Sequence, residues 1–295
     1  MIKYKIGIIG TENSHADSFA AAFNKPDEKG NYKYPDCRVT CVWGHYDDAN
    51  KRIAENFGVE TIAASLDEIA DSVDAVMITA RDGKFHAEFA LPFIERGKPA
   101  FIDKPFTVDI EEAVNLVKLA KAKGVKLCGG SSLKHSKNIK EVAEIVKNAG
   151  GELLGGSLSA PLQINSEYSG FFFYASHLVE MTLNSFGHNP KTITATRTGE
   201  CVTATVNYGN FSVSNHFLGG VPDYTATVYK KNGSIQTMVS LDGVFDKECD
   251  DFVNMLRTGQ MPETYEKLIA PVYYMNAVKM SYETGQAIEI KFDNI

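Results

Sequence analysis

Pro99-Ala100-Phe101-Ile102-Asp103-Lys104-Pro105-Phe106 reads as a buried strand that ends on a charged pair and is stopped by proline. A continuous apolar run of this kind suits a strand covered on both faces, as in parallel sheets. Pro105 bars a simple continuation of the ladder and fixes the exit. Open α/β sheets bind ligands beyond the carboxyl ends of their strands, so Lys104 is expected to point into such a crevice.

The surrounding sequence repeats the same alternation. Upstream lie Lys5-Ile6-Gly7-Ile8-Ile9, followed by Gly10 and by small and apolar positions at helical spacing (Ala16, Phe19, Ala20, Phe23). Next come a strand at Val39 to Trp43, a helix from Asp48 to Phe57 stopped by Gly58, and a short helix at Leu66 to Ala70. The apolar strand Asp74-Ala75-Val76-Met77-Ile78-Thr79 and a helix from Phe85 to Arg96, closed by Gly97, lead to the strand that carries Lys104. A helix from Ile110 to Lys123 and a strand from Val125 to Cys128 follow. This β-α alternation predicts an α/β, Rossmann-like, doubly wound parallel sheet over residues 1–129.

After Gly129-Gly130 the pattern changes. A helix from Asn138 to Ala149, a glycine-containing strand from Leu153 to Leu162 and a helix from Ser176 to Phe186 precede five alternating runs between Thr192 and Leu241. Those runs are rich in Thr, Val, Tyr and Phe, with turns at Tyr208-Gly209-Asn210 and Lys231-Asn232-Gly233. Helices at 246–258 and 264–284 and a strand from Ala287 to Phe292 complete the chain. Residues 130–295 are therefore expected to form an α+β domain with a large, mostly antiparallel open sheet.

Composition narrows the function. The 295 residues are 44% apolar and 23% charged, ordinary for a globular protein, and the formal net charge of −7 speaks against nucleic acid as a partner. No apolar run approaches the ~20 residues of a membrane span, and Met1 to Lys5 run directly into a strand without a signal-peptide pattern. Five cysteines without CxxC spacing suit reduced thiols. A cytoplasmic protein is the expectation, with no metal site, since the histidines lack ligand spacing.

Several stretches in register resemble the Gfo/Idh/MocA family of glucose–fructose oxidoreductase, inositol dehydrogenase and their relatives. Gly7-Ile8-Ile9-Gly10 opens the chain, and Asp74 to Thr79 with His86-Ala87-Glu88 is similar to the family's fourth strand and next helix. Asp103-Lys104-Pro105 is similar to its Glu-Lys-Pro motif, Gly150 to Ser157 to its glycine turn, and Ser176-His177-Leu178-Val179-Glu180 to its catalytic-histidine helix. Gly285-Gln286-Ala287-Ile288 is similar to its C-terminal ending. The resemblance implies an N-terminal domain that holds NAD or NADP, a small-molecule substrate such as a sugar, cyclitol or polyol, hydride transfer with Lys104 and His177 at the reacting hydroxyl, and a homo-oligomer formed through the C-terminal sheet.

The expected cofactor contacts are the turn Gly10-Thr11-Glu12-Asn13-Ser14-His15, with Trp43, Thr79, Asp82, Asp103 and Lys104 around it. The dinucleotide fingerprint asks for glycine at positions 10, 12 and 15 and only Gly10 supplies it. Asn13 or Ser14 can cap the next helix, whose free N–H groups attract a pyrophosphate. Glu12 is expected to oppose it, by placing a side chain where backbone should approach a dianion. The ribose-binding acid is missing, because Gly44 stands there; NAD and NADP both stay open, with His45 leaning towards a 2′-phosphate. Asp82 occupies a loop where the family carries proline near the nicotinamide. Lys134, His135 and Tyr174 are the expected substrate contacts. The family often places aspartate four residues before its histidine; here that position is Phe173, within the aromatic run Gly170 to Tyr174. Two other readings stay beside the oxidoreductase: a non-catalytic binding or regulatory protein with a degenerate nucleotide turn, and an NAD-retaining lyase or glycosidase.

Overall fold

A computed structural model describes residues 2–292. Its first layer runs β1 (Tyr4–Ile9), α1 (Ser14–Asn24), β2 (Cys37–Trp43), α2 (Asp47–Phe57), β3 (Thr61–Ile62), α3 (Leu66–Ser72), β4 (Ala75–Ile78), α4 (His86–Glu95), β5 (Ala100–Asp103), α5 (Ile110–Lys123) and β6 (Leu127–Gly130). The six strands are parallel, in the order β3-β2-β1-β4-β5-β6. β4, β5 and β6 are buried at every residue, the reason that they read as unbroken apolar runs. β3 escaped the sequence reading because it is two exposed residues at the sheet edge. The strand order reverses between β1 and β4, and a crevice opens at that point beyond the carboxyl ends.

The second layer contains α6 (Lys137–Ala149), β7 (Leu153–Leu162), α7 (Phe172–Phe186), β8 (Thr192–Thr198), β9 (Cys201–Asn207), β10 (Ser212–Gly219), β11 (Thr225–Lys230), β12 (Gly233–Met238), α8 (Val244–Thr258), α9 (Tyr265–Thr284) and β13 (Ile288–Glu289). Seven strands form one sheet in the order β12-β11-β7-β10-β9-β8-β13. All pairs are antiparallel except β7 with β10. The two expected hairpin turns join β9 to β10 and β11 to β12, with Gly209 and Gly233 at φ of 98° and 125°. Helices α6, α7 and α9 pack on one face. Thr203, Thr205 and Asn207 on the other are exposed.

Two elements differ from the sequence reading. α7 begins at Phe172, a turn before the expected Ser176, because the aromatic run is itself helical. α8 returns to the first sheet. It packs beside α1 and β6, and Phe252 meets Phe23 and Phe101 at ring-centroid distances of 6.4 and 6.3 Å. Cys249, Val253 and Met255 join the same apolar cluster as Ile6, Ile8 and Phe19. A division at residues 129 and 130 thus leaves a core helix of the first layer on the far side of the boundary. All five cysteines are free thiols. Among the described residues no helix is long and apolar enough to cross a membrane.

Candidate active site

The turn after β1 is built by close packing. A Cβ on Gly10 would lie 2.3 Å from the backbone of Ala80, at a φ of 89°, so only glycine lets β1 and β4 approach here. Thr11 is fully buried and its hydroxyl donates to Asn50 Oδ1 at 2.6 Å, while Asn50 Nδ2 donates to the Gly44 carbonyl at 2.9 Å. Asn13, not Ser14, caps α1, accepting from the His15 N–H at 3.3 Å; Ser14 is exposed. Thr79 is buried and donates to the Ile9 and Gly10 carbonyls at 3.1 and 2.9 Å.

Asp103 is engaged within the protein. Its carboxylate is fully buried, accepting from His15 Nδ1 at 2.6 Å, the Lys104 N–H at 2.7 Å and Asn13 Nδ2 at 3.5 Å. Burial alone would raise its pKa, but His15 and Lys104 outweigh that and hold it below the ordinary carboxylate value. Asp103 therefore braces the turn through these bonds. Thr11 and Thr79, engaged inward, do the same. His15, at the third glycine position, has its ring held by Asp103.

Glu12, expected to face a dianion, instead reaches across the crevice and accepts the Arg81 N–H at 2.9 Å. It lines a cavity of about 240 Å³ with His45, Tyr46, Asp82, Lys84, Phe85 and Tyr168 among its neighbours. Trp43 contributes from behind: it is half-buried and meets His45 and Phe89 edge-on at 5.2 Å, and Phe89 stacks on Phe85 at 5.4 Å. Asp82 is buried, pairs with Lys84 at 3.1 Å and accepts from the Ser169 hydroxyl. Ser169 is the one non-glycine residue with positive φ, 62°, among the described residues. With Tyr168, whose ring lies 5.2 Å from the Arg81 guanidinium, it straps the second layer to the loop after β4.

Lys104 and His177 converge from the two layers. Lys104 is 5% exposed, follows β5 and precedes Pro105 through a cis peptide. Its ammonium lies 4.6 Å from the Phe173 ring centre and 5.8 Å from that of Tyr174, and makes no hydrogen bond among the described residues. Burial, reinforced by Arg81 and opposed by Asp103, lowers its pKa. His177, on α7 with Phe173 and Tyr174, meets Tyr174 at 5.5 Å and Tyr224 at 6.0 Å. Its Nδ1 is 2.8 Å from Ser131 Oγ, and Nε2 has no partner among the described residues. Burial and the nearby Lys104 charge push its pKa well below the usual imidazole value. Ser131 and Tyr224 carried no recognisable motif; only their convergence in space marks them.

Lys134 and His135, expected at the substrate, are engaged elsewhere. Lys134 pairs with Glu263 and donates to the Gly129 carbonyl. His135 lies 3.8 Å from Asp251 and borders an open groove of about 840 Å³ beside α6 and the start of α8. Burial, with Lys134 beside it, pushes the His135 pKa down to about 3. Beneath His177, Glu180 accepts the Ser131 N–H at 3.2 Å. Burial, opposed by Lys134 and aided by Glu263, raises its pKa to about 7. Glu180 is one helical turn from His177, a spacing visible in the sequence.

Residues 4–131 match the sequence profile of the Gfo/Idh/MocA oxidoreductase family, described by its NAD-binding Rossmann fold. That match spans β1 to β6, less than half of the chain. Inositol 2-dehydrogenase 3 of Saccharopolyspora erythraea is 33% identical over 106 residues, 35% of this chain and 31% of that protein. The NADP(+) scyllo-inositol 2-dehydrogenase of Bacillus subtilis is 23% identical over 229 residues, 72% of this chain and 63% of that protein. The chain thus spans under two thirds of these curated relatives. The fold of the whole chain matches scyllo-inositol dehydrogenase of Lactobacillus casei, solved with NAD(H) and scyllo-inositol, at a TM-score of 0.82 and 14% identity over 98% of this chain and 99% of that one. A probable dehydrogenase of Thermotoga maritima gives 0.82 at 15% identity, covering 97% and 98%. The likeness of fold therefore extends over both layers. The family's dinucleotide fits the crevice on two observations: the start of α1 faces it at the strand-order reversal, and a cavity opens beside the end of β2.

Proposed function

We propose that this chain is an NAD(P)-dependent oxidoreductase that acts at an alcohol carbon of a cyclitol, sugar or similar polyol. The observation that carries the reading is the meeting of Lys104 and His177 around Tyr174, beside the strand-order reversal. The nicotinamide, when bound, supplies the hydride acceptor or donor. The chain's own residues handle the oxygen and its proton. With Nδ1–H donating to Ser131 Oγ, Nε2 of neutral His177 offers a lone pair to a substrate hydroxyl. Lys104, charged and water-poor, stabilises negative charge developing on that oxygen. Phe173 and Tyr174 exclude water around the ammonium and offer a flat apolar wall to one ring face.

The relatives named for inositol dehydrogenation support the substrate class. Phe173 offers no hydrogen bond where the family often has aspartate, so a substrate with fewer hydroxyls on that face is favoured. The test is NADH and NADPH production with a panel of cyclitols, aldoses and deoxy analogues, with binding of each dinucleotide followed by calorimetry. Turnover without net reduced dinucleotide would replace this reading with a lyase or glycosidase. The exposed face of the second sheet is the proposed self-association surface; a monomer in light scattering would remove it.

A further inference from the structure

The cavity beside β2 is acidic, and its acid has moved. A ribose-reading carboxylate normally stands at the end of the second strand. At Gly44 it has no room, because a Cβ there would meet Thr11 Oγ1 at 2.9 Å, and Asn50 Oδ1 and the Thr11 N–H nitrogen at 3.1 Å. Glu12 enters the same cavity from the turn after β1. The Arg81 N–H fixes its Oε1, and its Oε2 has no partner among the described residues. A carboxylate accepts at both oxygens, so Oε2 can serve a ribose diol while Oε1 stays anchored. Asp82 and Glu167 add two more carboxylates to the lining. The lysine there, Lys84, is already paired with Asp82. Neither nearby arginine belongs to the lining: Arg81 lies over the Tyr168 ring, and Arg52 pairs with Asp17 and the Thr11 carbonyl. His45 is the remaining group able to carry positive charge.

We propose that Glu12 has taken over ribose recognition from the end of β2, and that the cavity accepts NAD(H) and rejects NADP(H). The proposal rests on the dinucleotide reading above. A 2′-phosphate would enter a lining that holds three carboxylates and whose one lysine is already paired with Asp82, and like charges a few ångströms apart repel. The selectivity is thus built from repulsion as much as from attraction.

Titration calorimetry with NADH and NADPH on the wild type and on Glu12→Gln tests this without catalysis. The wild type should bind NADH at least about tenfold more tightly than NADPH. Glu12→Gln retains an acceptor for the Arg81 N–H and should shrink that ratio several-fold, weakening NADH and strengthening NADPH. Glu167→Gln, an exposed change on the opposite wall, should strengthen NADPH alone and gives a second reading if the first variant melts early. Equal affinities in the wild type, or a ratio that neither variant moves, would overturn the selectivity and leave the dinucleotide reading standing. Absence of binding by both dinucleotides would overturn both.

Discussion

Lys104 keeps its ammonium against two aromatic faces instead of in water, and that environment sets what its loss should do. Lys104→Met removes the charge while leaving a side chain of similar length between Phe173 and Tyr174. Turnover is expected to fall by ~10²–10⁴-fold, the scale of a positioned electrostatic or proton-transfer group, with dinucleotide affinity nearly unchanged. Steady-state rates set beside calorimetric binding check the split; parallel loss of both would mean that the lysine serves structure. For His177 the sign of the pKa shift matters. Burial and Lys104 lower it, so the ring is neutral at pH 7 and the acid limb of kcat/KM should fall below the ordinary imidazole value of about 6.5. His177→Asn should erase that limb along with most of the rate. The same depression has a stability consequence. The unfolded chain takes up a proton that the folded ring refuses, so this group's contribution, full above about pH 6.5, is lost as pH falls towards the folded value. Melting of the wild type should lose more stability than melting of His177→Asn between pH 6.5 and 5. An acid limb that persists in the variant would assign proton transfer to another group.

At the scale of elements, the turn after β1 and the end of β2 act as one packed unit. Thr11, Asn50 and Gly44 close on one another, so restoring the missing acid with Gly44→Asp is expected to cost stability, about 1–3 kcal/mol for an overpacked site, without tightening NADH. Urea denaturation and calorimetry measure the two halves; a stable variant with higher affinity would show that the turn can open. This unit also shows where sequence reading stops. The strands β1, β4 and β5 were legible because sheets covered on both faces demand uninterrupted apolar residues, and Lys104 was legible because it follows such a run. Thr11, Thr79 and Asp103 were legible only as neighbours of the crevice. Their hydrogen bonds run inward, to partners 39 to 88 residues away, and no local pattern carries that information. The pairing of Lys134 was hidden for the same reason, since Glu263 lies 129 residues along the chain. The start of α7 was missed because a run of aromatic residues has weak helix propensity and forms here through tertiary packing.

Across the whole molecule, the two layers are tied by more than the strap at Ser169. Tyr34 donates to Asp250 at 2.8 Å and Arg257 donates to Asp36 from Nε at 3.0 Å, so α8 is held to the first layer by polar bonds at its rim and by Phe252 at its centre. Phe252→Ala should destabilise by about 3–5 kcal/mol, the range for deleting a buried ring. Hydrogen exchange should locate the damage in β1 and β5 rather than in the second sheet. Protection lost only within α8 itself would make the helix an appendage.

The return of α8 also imposes an order on the making of the protein. The ribosome delivers β1 to β6 long before it delivers residues 244–258, with roughly 130 residues of chain still to come. At about 5–20 residues per second the first sheet waits on the order of ten seconds with the part of its apolar face beside α1 still uncovered. A truncated or stalled product that ends before Val244 would carry that bare strip permanently. Such nascent chains are natural clients for holding chaperones, and release should coincide with emergence of Phe252 rather than with completion of the Rossmann-like strands.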